Sequence, residues 1–234
     1  MKKYLIPVYS LVLLAFLVSG ILGSQVATVL SENSPIDNRH CFIIDAGHGG
    51  VDGGAVSCTG AYESHINLQI ALKLNDLMHL LGMETEMIRT EDISVYTSGE
   101  SIAAKKSSDL KERVRIVNRH ENATLLSIHQ NHYSNSFYSG AQIFYPKTIG
   151  SEALAKALQK QFISSLNPGS KRQAKKAEGL YLMKNIEKPG VLIECGFLSN
   201  YEEEAKLRSE DYQKRICCVI ASVCSVYAKQ CRIA

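Results

Sequence analysis

The stretch Cys41-Phe-Ile-Ile-Asp-Ala-Gly-His-Gly-Gly50 decides the fold, because it predicts a buried strand that ends in a glycine-rich turn. Four apolar residues lead into Asp45, and glycines stand on both sides of His48. In open α/β sheets, ligands collect at the carboxyl ends of strands, where the rigid sheet holds the loops. The stretch therefore predicts either a functional imidazole or an ordinary strand-to-helix turn.

Two later strands are predicted to end in the same way. Leu125-Leu-Ser-Ile-His129 is an apolar run that delivers a second histidine, and the polar Gln130 and Asn131 follow it. Residues 189–195 (PGVLIEC) form another apolar run, which delivers Glu194. Parallel strands share one carboxyl edge, so these three ionisable side chains are expected at the same edge of the sheet.

A helix is predicted from Tyr62, with apolar residues at helical spacing up to Leu81 and Gly82 as its C-cap. Glu63 falls in the first turn of this helix. A carboxylate there is favoured by the helix dipole and points back towards the loop of His48. Taken alone, Glu63 is more simply explained as stabilising its own helix.

The rest of the chain alternates between strand and helix patterns. Further strands are predicted over 85–90, 141–145 and 179–183, and further helices over 109–121, 151–165 and 203–229; residues 91–108 are predicted as a loop with short helical turns. This order predicts a single-domain, three-layer α/β sandwich over residues 40–234, with a mostly parallel central sheet flanked by helices.

The amino terminus predicts export. Lys2 and Lys3 precede residues 4–23, which carry no charge and are long enough to span a bilayer with the remainder outside the cytoplasm. Residues 1–24 are therefore expected to be a signal or membrane anchor, with cleavage left open, and residues 25–39 a polar linker. The catalytic part is expected to work outside the cytoplasm, tethered to the membrane by this segment.

Composition excludes several classes of protein. The 234 residues are 45% hydrophobic and carry a net charge of +3, and without Lys2 and Lys3 the balance is close to neutral, so no nucleic-acid partner is predicted. Seven cysteines occur without a CxxC pair, which disfavours both a disulfide framework and a structural zinc knuckle. Small residues on one face of the last helix are predicted to be core residues: Cys217, Ala221, Cys224, Ala228 and Cys231.

The ionisable residues at the predicted sheet edge suit metal chemistry. His48, Glu63 and His129 make a set of two histidines and one carboxylate, which is the ligand count of a catalytic zinc with its fourth position open. Glu194 is a further carboxylate of the kind that such a site needs as a general base.

Several segments resemble the zinc-dependent N-acetylmuramoyl-L-alanine amidases of bacterial cell walls. The similarity extends over residues 41–227 and rests on DAGHGGVDGGA, YESHINL, SIHQN, SGAQIFY and PGVLIECGFLSN. It implies one zinc ion per chain on His48, Glu63 and His129, with Glu194 as the catalytic carboxylate. The implied reaction is hydrolysis of the amide between the lactyl group of N-acetylmuramic acid and L-alanine. Within the family, the chain most resembles the germination-specific amidases of the spore cortex, which implies a role in forming muramic δ-lactam.

The resemblance also implies partners. Peptidoglycan is the expected substrate, with Asn131 as a candidate for hydrogen bonding to it. Arg89 and the basic run 171–176 (KRQAKK) are candidates for pairing with carboxylates of the peptide, although the run is also compatible with a solvated surface. The chain between His129 and Glu194 is too short for an inserted occluding helix, so control is expected from a partner protein or from timed expression.

Three alternatives remain at this point. A cysteine hydrolase would use Cys195 with His129, but consecutive strand residues face opposite sides, so Glu194 and Cys195 cannot both face one site. A non-enzymatic peptidoglycan-binding protein would keep the fold without the chemistry. A zinc carboxypeptidase acting on stem peptides would use a similar ligand set and base.

Overall fold

The computed structural model describes residues 40–231, apart from the side chain of Cys231. The predicted signal or anchor (1–24) and the linker (25–39) lie outside the described residues. Within the described part, no helix is both long enough and apolar enough to cross a membrane.

Six strands and six helices make up the described part of the chain. The strands are β1 (Cys41–Ala46), β2 (Glu84–Met87), β3 (Ala123–Asn131), β4 (Gln142–Tyr145), β5 (Lys175–Lys176) and β6 (Gly190–Phe197). The helices are α1 (Glu63–Leu80), α2 (Ile102–Asn118), α3 (Ser151–Ser165), α4 (Tyr181–Asn185), α5 (Tyr201–Arg208) and α6 (Glu210–Cys231).

The strands form one sheet in the order β2-β1-β3-β6-β4-β5. The pairs β1–β2, β1–β3, β3–β6 and β4–β5 are parallel, and only β4 and β6 run antiparallel. The carboxyl ends of the adjacent strands β1, β3 and β6 therefore lie side by side along the same edge of the sheet. His129 and Glu194 are register partners at that edge.

Alternating strand side chains divide the interior into two layers. Phe42, Ile44, Leu126 and Ile128 belong to a core that also contains the buried faces of α1, α3 and α6. On the other face, the intervening strand residues pack with Ile116 and Val117 of α2 and with Leu182 and Met183 of α4. The predicted three-layer sandwich with a mostly parallel sheet is confirmed.

Several predicted elements differ from the structure in type or extent. The strand predicted over 85–90 is β2, which ends at Met87. Residues 179–183 are not a strand, because α4 begins at Tyr181 and buries the adjacent Leu182 and Met183; a short apolar run does not distinguish the two structures. Helix α2 begins at Ile102 rather than at residue 109, with Ser101 as its N-cap accepting a hydrogen bond from the Ala104 N–H.

The predicted closing helix is two helices, α5 and α6, that meet at Ser209. Asn200 caps α5, and its side chain accepts hydrogen bonds from two backbone N–H groups. The predicted core positions on α6 are confirmed for Cys217, Ala221, Cys224 and Ala228, which are all buried. The side chain of Cys231 lies outside the description. The six described cysteines form no disulfide.

Candidate metal centre and active site

The turn after β1 places His48 against the third strand. His48 has a positive φ of 62°. Gly47 is required beside it, because a Cβ at that position would lie 2.2 Å from the ring of His129. The carbonyl of Gly47 accepts hydrogen bonds from Asn67 on α1 and from Arg89. The backbone therefore bends sharply and brings the two imidazoles to a ring-centroid separation of 5.0 Å.

Glu63, the first residue of α1, lies between the two imidazoles. Its Oε2 is 3.3 Å from His48 Nε2, and its Oε1 is 3.0 Å from His129 Nδ1. One potential ligand atom from each residue lies within 4.8 Å of the others, so the three can hold one metal ion. Burial opposes ionisation of Glu63, but hydrogen bonds with His129 and His48 hold its pKa well below the usual range.

Backbone donors fix the Glu63 carboxylate in this position. The N–H of Ala55 donates to Oε2 at 3.0 Å, and the N–H of Gln130 donates to Oε1 at 3.1 Å. Asn67, one turn along α1, donates to Oε1 as well. Gly54 makes room for the arrangement, since a Cβ there would lie 2.7 Å from Glu63 Oε2. The carboxylate is therefore held in place before any ligand arrives.

The carboxylate of Asp52 orients His48 through the ring nitrogen that faces away from Glu63. Its Nδ1 lies 2.9 Å from Asp52 Oδ2, while Lys106 Nζ lies 2.7 Å from Asp52 Oδ1. Burial disfavours the charged imidazole, but the hydrogen bonds to Asp52 and Glu63 outweigh it and raise the pKa of His48 to about 9. A carboxylate on the far nitrogen of a histidine is the usual support for a metal ligand, because it directs the other nitrogen at the ion.

Glu194 supplies a carboxylate that the protein leaves incompletely paired. Its Oε2 is buried and has no hydrogen-bond partner among the described residues. Burial, reinforced by the charge of Glu63, raises the pKa of Glu194 to about 7, although the two nearby imidazoles favour its ionisation. A buried oxygen without a partner beside a His-Glu-His cluster fits a site built for a cation and a water molecule.

A buried arginine ties the turn to the sheet. Arg113 of α2 forms an ion pair with Asp45, and its Nη2 donates to the carbonyl of His48 at 2.7 Å. Its Nε donates to Asp109 at 2.6 Å, and the hydroxyl of Ser127 donates to the other oxygen of Asp45 at 2.6 Å. This network was not predicted from the sequence. The polar Asp45 and Ser127 inside two apolar strands were the available signal.

The cluster opens into a cavity of about 460 Å³. Its polar floor contains the four ionisable residues, and Leu110, Leu182 and Leu192 contribute an apolar wall. The turn from Gly179 to Tyr181 lies at the rim, with Leu180 and Tyr181 exposed. Such a mixture of apolar wall and convergent polar groups is typical of a substrate site.

The structure brings together His48, Glu63, His129 and Glu194, and their roles as ligands and base stay predictions. Asn131 does not line the cavity. Its backbone carbonyl accepts a hydrogen bond from the Leu198 N–H. The expectation for Arg89 was wrong, because this side chain is 2% exposed.

The guanidinium of Arg89 donates to the carbonyls of Ala46, Gly47 and Ser64, so it braces the turn rather than facing a ligand. The cysteine-hydrolase alternative is also contradicted. Cys195 is fully buried in the core on the other face of β6, and burial raises its pKa well above the usual value.

Three side chains that can hold a metal ion, with a further carboxylate beside them, are what a metal-dependent hydrolase requires. Residues 42–223 match the model of the Amidase_3 family, the N-acetylmuramoyl-L-alanine amidases, and the chain belongs to that family. The resemblance stated from the sequence is confirmed. The protein is therefore an enzyme that cleaves the N-acetylmuramoyl-L-alanine bond of peptidoglycan, rather than a binding protein on an inactive fold.

Relatives support this assignment along most of the chain. The germination-specific N-acetylmuramoyl-L-alanine amidase of Bacillus subtilis is 37% identical over 184 residues, which cover 78% of this chain and 76% of the relative. The CwlD amidase of Clostridioides difficile, solved in complex with the GerS lipoprotein, is 36% identical with a TM-score of 0.78, covering 82% of this chain and 99% of that one.

A third relative is the catalytic domain of the CwlV amidase from Bacillus (Paenibacillus) polymyxa. It is 30% identical with a TM-score of 0.68, covering 81% of this chain and 98% of that one. The fold of the described residues is thus the fold of catalytic amidase domains.

Replacing Arg113 by leucine should destabilise the protein strongly, because Asp45 would be left buried without its charge partner. The expected loss is about 3 to 5 kcal/mol in the free energy of unfolding. Urea denaturation followed by circular dichroism measures it. Arg115→Leu on the same helix is the matched control, since Arg115 pairs with Glu112 at the surface, and it should leave the unfolding midpoint nearly unchanged. Equal effects of the two variants would contradict the role of the buried pair.

The raised pKa of Glu194 predicts that the metal-free protein loses stability as the pH rises. The pKa of this carboxyl is about 7 in the folded protein, above its usual 4.5. Its contribution to the free energy of unfolding is therefore complete below pH 4.5 and is lost as the pH rises through 7. Glu194→Gln stays neutral, so its melting temperature relative to wild type should increase from pH 5 to pH 8.

Thermal unfolding in the presence of a chelator, at several pH values, measures this difference. Glu202→Gln, at an exposed position, controls for the loss of one negative charge. A constant gap between Glu194→Gln and wild type across the pH range would show that Glu194 does not titrate as stated.

Proposed function

We propose that this enzyme is a zinc-dependent amidase of the spore cortex, with His48, Glu63 and His129 holding one zinc ion and Glu194 acting as the general base. The convergence of three potential ligand atoms within 4.8 Å, beside a carboxylate oxygen without a partner, carries the proposal. Two imidazoles and one carboxylate form a typical catalytic zinc set, which leaves a coordination position open.

A zinc ion bound there would supply a Lewis acid that polarises the lactyl carbonyl and makes water a better nucleophile. The residues of the chain do the rest. Glu194 takes the proton from the attacking water and returns it to the nitrogen of L-alanine as the amide bond breaks. The apolar wall of the cavity limits access of bulk water.

The cortex role rests on the relatives. The B. subtilis relative is named as germination-specific. We extend that role to this chain and infer that removal of the stem peptide exposes muramic acid to a deacetylase, so that muramic δ-lactam can form. Deletion of the gene in a spore former should give spores whose cortex lacks δ-lactam, which muropeptide analysis detects.

A partner protein is part of the proposal. The C. difficile relative is solved in complex with a lipoprotein. Helix α3 lies between His129 and Glu194 in the sequence, and it packs in the core against α6 rather than over the cavity. We therefore expect the activity to be controlled from outside the chain. Full activity of the purified enzyme, unchanged by any co-expressed lipoprotein, would contradict it.

Export and anchoring complete the proposal. Lys2 and Lys3, followed by an uncharged segment over 4–23, support an extracytoplasmic enzyme attached to the membrane, which in a spore former places it between the forespore membranes. Intact mass of the protein from the membrane fraction tests this, since a retained anchor gives the full-length mass. A soluble, shortened product would contradict the anchor.

Zinc dependence is tested by metal content together with product analysis on purified peptidoglycan. Chelation should abolish peptide release, and added zinc should restore it. His129→Ala should lose zinc and activity, while Glu194→Gln should keep zinc and lose about 100-fold to 10,000-fold in rate. Cys195→Ala is the control for a thiol mechanism and should stay active.

Mass spectrometry of the products separates the remaining alternative. The amidase releases intact stem peptides with a free L-alanine amino group and leaves glycan strands without peptides. A zinc carboxypeptidase would instead release single amino acids from the other end of the stem. Release of single amino acids, or activity that survives loss of zinc, would contradict the proposal.

A further inference from the structure

A second and larger cavity lies beside the metal centre. Its volume is about 980 Å³, and it is lined by the loop 137–140, the segment 166–175 and helix α5. Gln142, at the start of β4, lines this cavity and is the register partner of Glu194. Residues that face each other on antiparallel strands have Cα atoms about 5 Å apart, so the cavity begins one strand away from the proposed base. We call it the lateral groove.

The lateral groove is rich in unpaired positive charge. Lys171, Lys175 and Lys206 line it, are exposed, and form no salt bridge with any described residue. Of the two acidic residues in its lining, Glu203 is already engaged by the protein, because its carboxylate accepts the backbone N–H groups of Gly140 and Phe197, each at 2.8 Å. Glu202 is the other acidic residue. Burial raises the pKa of Glu203, and the charges of Lys206 and Arg172 act on it in the opposite direction by lowering its pKa. The four cations of the lining therefore outnumber its two carboxylates.

One cation of the groove is held rigidly. The Arg172 guanidinium lies over the ring of Phe197, 4.8 Å from its centroid, and Tyr138 stacks against that same ring. The Nε of Arg172 donates to the carbonyl of Ser139 at 2.9 Å. A guanidinium fixed in this way loses little conformational entropy when a carboxylate binds to it.

The distance from Lys175 to Glu194 matches the length of a short extended peptide. Lys175 pairs with Phe144, which pairs with Leu192, so Lys175 lies two strands across and two residues along from Glu194. With standard strand spacing and rise, the two Cα atoms are about 12 Å apart. An extended peptide spans about 3.3 to 3.6 Å per residue, so a segment of about four residues covers this distance.

We propose that the lateral groove is the subsite for the acidic stem peptide, with Lys171, Lys175, Lys206 and Arg172 binding its free carboxylates. The inference rests on the amidase activity described above and deepens it. A stem peptide attached at the scissile amide begins beside Glu194, and its carboxylates lie along the next few residues and at its end. Three of the four basic residues in the run 171–176 thereby have a function, since Lys171, Arg172 and Lys175 line the groove and Lys176 does not.

Kinetics on a pair of synthetic muropeptides tests the subsite, with the zinc-loaded full chain as the enzyme. One substrate is an N-acetylmuramoyl tetrapeptide with free carboxylates, and the other has the same carboxylates converted to amides. The groove variant combines Lys171→Gln, Lys175→Gln and Lys206→Gln. It should raise KM for the acidic substrate about tenfold with little change in kcat, and it should leave KM for the amidated substrate unchanged.

The matched control removes three lysines from a different cavity. Lys147, Lys176 and Lys184 line a separate pocket of about 750 Å³ and also form no salt bridge with described residues. The triple glutamine variant at these positions changes the net charge equally and takes one lysine from β5, as the groove variant does. It should behave as wild type on both substrates.

Three results would overturn the subsite. Wild-type KM in the groove variant would show that these lysines do not bind the peptide, and an equal rise in KM in the control would show a general effect of charge. Loss of stimulation by a partner protein, with KM unchanged, would assign the groove to that partner. If zinc-loaded wild type cleaved neither muropeptide, the proposed amidase itself would fail and the subsite with it, and only that result touches the parent proposal.

Discussion

The carboxylate of Glu63 between the imidazoles of His48 and His129 is the interaction on which the site depends. Each of the three side chains comes from a different element, and all three are needed to make the set of potential metal ligands. The turn after β1 presents His48, the first turn of α1 presents Glu63, and β3 presents His129. The parallel pairing of β1 with β3 places two of these elements side by side. A carboxylate at a helix amino terminus is favoured by the helix dipole, so the helix itself stabilises the charge that a cation needs.

Holding these groups together without a cation has an electrostatic cost. The buried Glu63 is ionised while Glu194 nearby is driven towards its protonated form, and His48 retains a proton near neutral pH. Binding of a divalent ion would release the proton from His48, and the charge of the ion would favour the ionised form of Glu194. The buried pair of Arg113 and Asp45 stabilises the backbone beneath this charged cluster, because Arg113 also donates to the carbonyl of His48.

Much of the fold and the cluster could be predicted from sequence, because both arise from local patterns. Apolar runs that end in His48, His129 and Glu194 mark strand ends, and strand ends of parallel sheets coincide. Residues that act through distant contacts could not be found in this way. Arg89 and Arg113 resemble surface residues in sequence, and only the three-dimensional path of the chain shows that they bind backbone carbonyls of the turn. The short helix α4 was missed since its apolar run is too short to show a period.

We have proposed that His48, Glu63 and His129 bind one zinc ion. Crystals of the protein grown with zinc, measured on both sides of the zinc absorption edge, test it most directly. A single strong anomalous peak is expected at about 2.0 to 2.2 Å from His48 Nε2, His129 Nδ1 and a carboxylate oxygen of Glu63, with Glu194 facing it without coordinating. No peak at this position, or a peak bound by other residues, would show that these three residues are not the zinc ligands.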